Sequence, residues 1–192
     1  SLFAIKGFDG QSADSLIHQI PVLEQALTHH LQCWLITKDQ RKQLFSPYQL
    51  VNYKGTWHLV GVSEGRLQAY PLSSIALVEL SQQTFTRDPL IARQIDTDPT
   101  LWRSGMIEVL LKASASIAIN FQHRPLLPEQ EIVKTLDDGA LLLSSRVLDA
   151  NQILPVIKSW MPGLTVISPG FIHEQIVRDL RHLLTLMSQA PP

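Results

Sequence analysis

The sequence predicts an α+β protein in two parts: a small antiparallel β-barrel or sandwich, then an α/β domain of ferredoxin-like, split βαβ form. Two observations carry this. Between residues 31 and 82 short apolar runs follow one another closely, separated by turn residues, the pattern of a small all-β barrel or sandwich. Between residues 104 and 192 the apolar periods run strand, helix, strand, strand, helix, strand, helix, the order of a split βαβ unit. The 192 residues suit one large domain or two small ones. The expected boundaries are a lead-in and N-terminal helix over 1–30, the barrel over 31–82, a linker over 83–103 and the α/β domain over 104–192.

Residues 1–12 form a loose lead-in. Leu16, Ile17, Ile20, Leu23 and Leu27 then recur at helical spacing, with Pro21 expected to break or kink the helix. "LQCWLI" is a compact apolar strand and "KDQRKQ" a solvated tip. "LFSPYQLVNY" is the second strand, where Pro47 marks an edge or bulge. Lys54-Gly55 is a tight turn into the strand "TWHLVGV". Ser63-Glu64-Gly65 is the next turn, and "RLQAYPLSSIALVEL" gives one or two further strands bent at Pro71.

The stretch from Thr84 to Gly105 is polar, carries two Asp-Pro dipeptides and holds no sustained period, so it is expected to be a linker with a short helix. "MIEVLLKA" is a strand and "SASIAINFQ" a short helix. "EIVKTLDDGALLLSSRV" is a hairpin turning at Asp138-Gly139. "DANQILPVIKSW" is a helix, with Asp149 and Gln152 spaced as a capping box, although Pro155 inside the pattern also allows a start nearer Asn151. "LTVI" is the last strand. Ser168 then serves as N-cap and Pro169 as first residue of a helix whose stripe is Ile176, Leu180, Leu183, Leu184 and Met187. That stripe and Trp160 are expected in core or in a dimer interface.

The formal net charge is -1, and residues 1–80 carry six basic and six acidic side chains, so neither half has a broad nucleic-acid footprint. Cys33 is the single cysteine, which excludes an internal disulfide and a cysteine zinc cage and fits a reducing compartment. No apolar run reaches transmembrane length and no signal peptide is visible, so the cytoplasm is the expected location and no membrane partner is expected. There is no phosphate loop, no G-x-S-x-G elbow and no H-E-x-x-H, since His173-Glu174 lacks the second histidine. His29 and His30 are adjacent and diverge on a helix, Asp137-Asp138 is accounted for by its turn, and Cys33 has no histidine partner. No catalytic residue, metal site or cofactor is expected, and a binding module is favoured over an enzyme.

"SPYQLVNYKGTWHLVGVSEGRLQAYPLSSI" resembles the core of the WYL domain. Pro47 and Leu50 match its Pro-x-x-Leu strand, Gly55 its turn, and Trp57 and Leu59 its triplet, in which His58 replaces the tyrosine. Tyr70, Leu72 and Ile75 follow the pattern of the next strand, while Gln68 and Ser74 stand where arginines are usual. "RPLLPEQEIVKTLDDGALLLSSRV", "IKSWMPGLTVISP" and the closing helix resemble the C-terminal extension that follows WYL domains. The resemblance implies a Sm- or SH3-like barrel, then the extension, as the effector-sensing and dimerising region of a bacterial transcriptional regulator. It implies a homodimer, a nucleotide-like or nucleic-acid effector on the barrel, and DNA contact through a helix-turn-helix domain. Nothing of that domain's size fits before residue 20, so it is expected to be absent from this chain, either trimmed or never there.

The candidate ligand residues are His58, Arg66, Gln68, Tyr70 and Ser74. Gln and Ser hydrogen-bond but do not neutralise a phosphate, so a less anionic or more weakly held ligand is expected. A two-residue Lys54-Gly55 turn pairs Leu59 with Leu50 on a core face and puts His58 with Gln49, Val51 and Val60 on the other, where a solvated histidine is the plain expectation. The length of the next turn decides the rest. Three residues set His58 across from Tyr70, and two move Gln68 and Tyr70 to the Trp57 face. Trp34, Tyr48 and Tyr53 are candidate stacking surfaces, and Arg124 is a candidate contact from the extension. The rival expectation is a protein-interaction module whose barrel has lost its ligand. A polar groove with Arg66, Gln68 and His58 would favour sensing, and a groove filled by apolar side chains the rival.

Overall fold

The computed structural model describes residues 18–189, and the first element among them is helix α1, Ile20–Thr28. The expected lead-in and the upstream turns of this helix lie outside the described residues. Pro21 does not kink α1. It occupies the first turn, where its missing N–H falls among donors that have no intrahelical partner anyway. Leu23, Ala26 and Leu27, spaced i, i+3, i+4, form its buried face.

Five strands follow: β1 (Leu31–Thr37), β2 (Lys42–Tyr53), β3 (Thr56–Ser63), β4 (Arg66–Pro71) and β5 (Ile75–Thr84). They form one antiparallel sheet in the order β4-β3-β2-β1-β5. The Lys54-Gly55 and Glu64-Gly65 turns each hold both central residues at positive φ, with values of 50° and 82°, and 50° and 73°. That is the hairpin geometry for which glycine is suited at the second position. β2 serves two neighbours: residues 42–45 pair with β1 and residues 46–53 with β3. The register slips between Pro47 and Gln49, so the proline sits at a bulge, where its missing donor breaks no ladder bond. A 3-10 turn, Leu72–Ser74, bends the chain from β4 into β5.

Both faces of this sheet are covered. Leu23, Cys33, Leu35, Phe45, Leu59, Tyr70, Ile75 and Val78 fill the interior. The expected linker packs on the opposite face of β2, β3 and β4. It contains α2 (Pro89–Thr97) and a 3-10 turn (Leu101–Arg103), and its Ile95, Leu101, Phe85, Ile91 and Trp102 form a second core with Tyr48, Val60 and Ala69.

From Met106 the chain forms a separate unit. Its elements are β6 (Ile107–Ala113), α3 (Ala115–His123), β7 (Glu131–Thr135), β8 (Leu141–Val147), α4 (Leu154–Ser159), β9 (Leu164–Ser168) and α5 (Gly170–Gln189). The antiparallel order β7-β8-β6-β9 places β8 between β6 and β7, and β6 between β8 and β9, which is the split βαβ arrangement. Val109, Leu111, Leu141, Leu143 and Leu164 of the sheet pack with Phe121, Ile157, Ile172 and Ile176 of the helices. Two helix starts differ from expectation. Pro169 precedes α5, its carbonyl accepting from Ile172 and His173, so it caps the helix in place of Ser168. The Asp149 carboxylate accepts from the Asn151 amide, but Gln152 reaches back to Leu148 N and the first turn is 3-10, so α4 starts only at Leu154.

Candidate ligand site on the barrel

The β3–β4 turn has two residues, with Ser63 paired to Arg66. Leu59 therefore faces Tyr70 and Gly61 faces Gln68, which puts Gln68 and Tyr70 on the interior side with Trp57. His58 lies opposite Pro71 on the other face, so the five residues named from the sequence do not converge. Gln68 and Tyr70 do meet: the Tyr70 hydroxyl donates to Gln68 Oε1 at 2.7 Å, and the Tyr70 ring packs edge-on to Phe45. The Ser74 hydroxyl donates to the Pro71 carbonyl at 2.8 Å, a bond internal to its own turn. Arg66 is exposed at the start of β4.

His58 is fully buried, which corrects the expectation of a solvated histidine. Trp102, from the covering segment, stands edge-on to it at 5.3 Å between centroids and stacks on Tyr53 at 4.3 Å with the planes 6° apart. His58 Nδ1 donates to the Thr56 carbonyl at 2.9 Å, which fixes a proton on that nitrogen. The residue in the triplet's central position is thus part of an aromatic cluster. No signal near His58 in the sequence announces it, because the covering ring comes from a distant and polar stretch.

Of the candidate stacking rings, Tyr48 is buried, its hydroxyl accepting from Asp88 N, and Tyr53 is engaged by Trp102. Trp34 remains 38% exposed at the middle of β1. It lines a groove of about 500 Å³ with Gln32, Lys42, Gln43, Leu44, Ser46, Val62, Glu64 and Gly65. The groove lies where β2 passes from β1 to β3. Lys42 Nζ sits 5.1 Å from the centre of the Trp34 ring, and Gln32 Nε2 donates to Ser46 Oγ at 3.0 Å. The sequence signal for this groove was Trp34 alone. Its polar lining depends on the strand switch and was not legible.

The remaining candidates are placed as follows. Burial pushes the Cys33 thiol up to about 12, so it is a protonated core residue. Asp138 accepts from Ala140 N in its turn. Arg124 is exposed at the end of α3. Among the described residues no group of histidines, cysteines and carboxylates is arranged to hold a metal ion, and no helix is long and apolar enough to cross a membrane.

In the second unit α5 carries Ile172 and Ile176 into the core, after which every residue from Leu180 to Gln189 is exposed. Leu180, Leu183, Leu184 and Met187 lie bare at helical spacing, with Leu184 at 64% and Met187 at 66% exposure. Lys158 of α4 pairs with Asp179 of α5, and with the Gln175 amide this holds the Asp179 carboxyl below the usual carboxylate range.

Comparison with known proteins places the second unit. Residues 106–184 match the WCX domain, the C-terminal extension associated with WYL domains. No curated protein matches the chain. Among solved structures, the proteasome accessory factor B/C of Arthrobacter aurescens is similar at 15% identity and a TM-score of 0.39, over 87% of this chain and 27% of that one. A CRISPR Cas-related protein is similar at 14% identity and a TM-score of 0.42, over 93% of this chain and 53% of that one. The chain therefore spans about a quarter and about half of the lengths of these two proteins. The resemblance read from the C-terminal motifs is borne out by the match of residues 106–184 to the WCX domain.

Proposed function

We propose that this chain is the effector-sensing and dimerising region of a WYL-type transcriptional regulator of bacteria, binding a nucleotide-like or nucleic-acid effector on the barrel. The observation that carries the proposal is the WCX match directly after a five-stranded antiparallel sheet with a WYL-like hairpin. DNA contact is assigned to a helix-turn-helix domain of the same regulator, the region acts in the cytoplasm, and the proposal assigns it no catalytic step. Titration with labelled oligonucleotides, nucleotides and nucleosides at 50 and 200 mM salt tests the effector. Saturable binding supports sensing, and its absence for strands, nucleotides and nucleosides alike removes it.

The homodimer forms on α5. The last ten residues of α5 are exposed and carry a bare leucine stripe, an apolar surface of the kind that marks a protein–protein contact. Arg181 is the sole Lys, Arg, Asp or Glu between Leu180 and Gln189. Parallel pairing would set Arg181 against its own copy. Antiparallel pairing about Leu183 and Leu184 brings it towards the partner's C-terminal carbonyls, where a cation is favoured. Light scattering on eluting protein should give twice the 21.6 kDa chain mass, and Leu184→Glu should give the monomer. A monomeric wild type would remove the dimer.

A second reading has an observation of its own. The Tyr70–Gln68 and Ser74–Pro71 hydrogen bonds already engage side chains that a ligand would use. A barrel with its ancestral site internally satisfied suits a protein-interaction module, which the same oligonucleotide and nucleotide titrations would leave without a ligand.

A further inference from the structure

We infer that the groove beside Trp34 is a binding site for a planar, uncharged heterocycle of nucleobase type, presented as a nucleoside. This rests on the sensing reading above but relocates and narrows its ligand. The site arises from the topology of β2. Residues 42–45 follow β1 and residues 46–53 follow β3, so the two partner strands part at Ser46 and leave a hollow on the outer face of the sheet. Leu44 and Val62 give it an apolar floor, and Trp34 gives it a ring exposed on a strand that is hydrogen-bonded on both sides. A base stacks on such a ring whatever its sequence identity.

The polar groups define the ligand's edge. Gln32 gives one Nε2–H to Ser46 Oγ, which leaves its second Nε2–H and the Ser46 hydroxyl hydrogen as donors beside Gln32 Oε1 as an acceptor. Adjacent donor and acceptor match the hydrogen-bonding edge of a base. Charge excludes the alternatives. The lining holds one cation, Lys42, and one carboxylate, Glu64, and so offers no track of positive charge for a strand. It contains no guanidinium fork for a polyphosphate. Lys42 lies over Trp34 on an exposed stem, and a stacking base takes its place on the ring.

The test is calorimetric titration of the full chain with adenosine, guanosine, cytidine and uridine, alongside ATP, a dT oligonucleotide and glucose, at 50 and 200 mM salt. At least one nucleoside is expected to saturate, with a Kd that changes less than twofold between the two salts. Trp34→Ala should weaken it at least about tenfold and Trp34→Phe should largely retain it, with far-UV dichroism confirming that both variants fold. Nucleoside binding that survives Trp34→Ala overturns the site, and saturation by glucose in place of nucleosides overturns the ligand class. Steeply salt-dependent oligonucleotide or ATP binding without nucleoside binding overturns this inference and leaves the sensing reading standing. Silence of every probe removes both.

Discussion

At the scale of single residues, His58 and Cys33 show how burial decides role. Both faces of β3 are covered, so the histidine of the triplet packs between the sheet and Trp102. His58→Ala should cost about 2 kcal/mol or more in urea denaturation, because it opens a cavity in an aromatic cluster, and should leave ligand affinity within about twofold. Cys33 should resist thiol reagents at pH 8 until the chain unfolds. Its folded value of about 12 lies above the ordinary 9.0. The protonated thiol's contribution is therefore full below pH 9 and fades as pH rises towards 12, which a stability profile across that window checks. At Gly61 an added Cβ would stand 2.2 Å from the Ser46 carbonyl oxygen and 2.6 Å from the Phe45 ring. Gly61→Ala should lower stability by about 1–3 kcal/mol, since the carbonyl belongs to the strand switch and has nowhere to retreat. The burial of Cys33 is the one the sequence announces, on a compact apolar strand with no histidine partner. Those of His58 and Gly61 depend on elements that arrive from elsewhere in the chain.

At the scale of elements, the sequence was informative wherever a pattern is local. Lys54-Gly55 and Asp138-Gly139 turn where two apolar runs meet them, and all nine strands lie on apolar runs read from the sequence. It was silent where a choice is made between distant partners. One residue in the Ser63–Gly65 turn decides the face of Gln68 and Tyr70, and both lengths suit the same residues. The segment from Phe85 to Trp102 reads as a linker because Asp-Pro breaks and charges hide its few apolar anchors, yet those anchors close a core. Its helix is set by Asp88, whose carboxylate accepts from Leu90 N at 2.8 Å. Asp88→Ala should lower the melting free energy by about 1 kcal/mol and raise the exposure of Trp102, read as a red shift of its fluorescence.

At the scale of the whole molecule, the two units each hold their own core, the second drawn wholly from residues between Ile107 and Ile176. A fragment of residues 106–192 should therefore unfold cooperatively in urea on its own, and a fragment without dichroism or a transition would show that it depends on the barrel. If α5 joins two copies, the melting temperature of the full chain should rise with protein concentration, and Leu184→Glu should flatten that dependence. A net charge of -1 leaves little long-range repulsion to oppose the association.

The shared strand β2 has a dynamic consequence. One continuous backbone supplies ladder partners to both β1 and β3, so neither half of the barrel can open without loosening the other's hydrogen bonds. In native-state hydrogen exchange the amides of residues 42–45 and 46–53 should then share one opening free energy, as a single cooperative unit. A ligand at the switch would slow exchange in both stretches together.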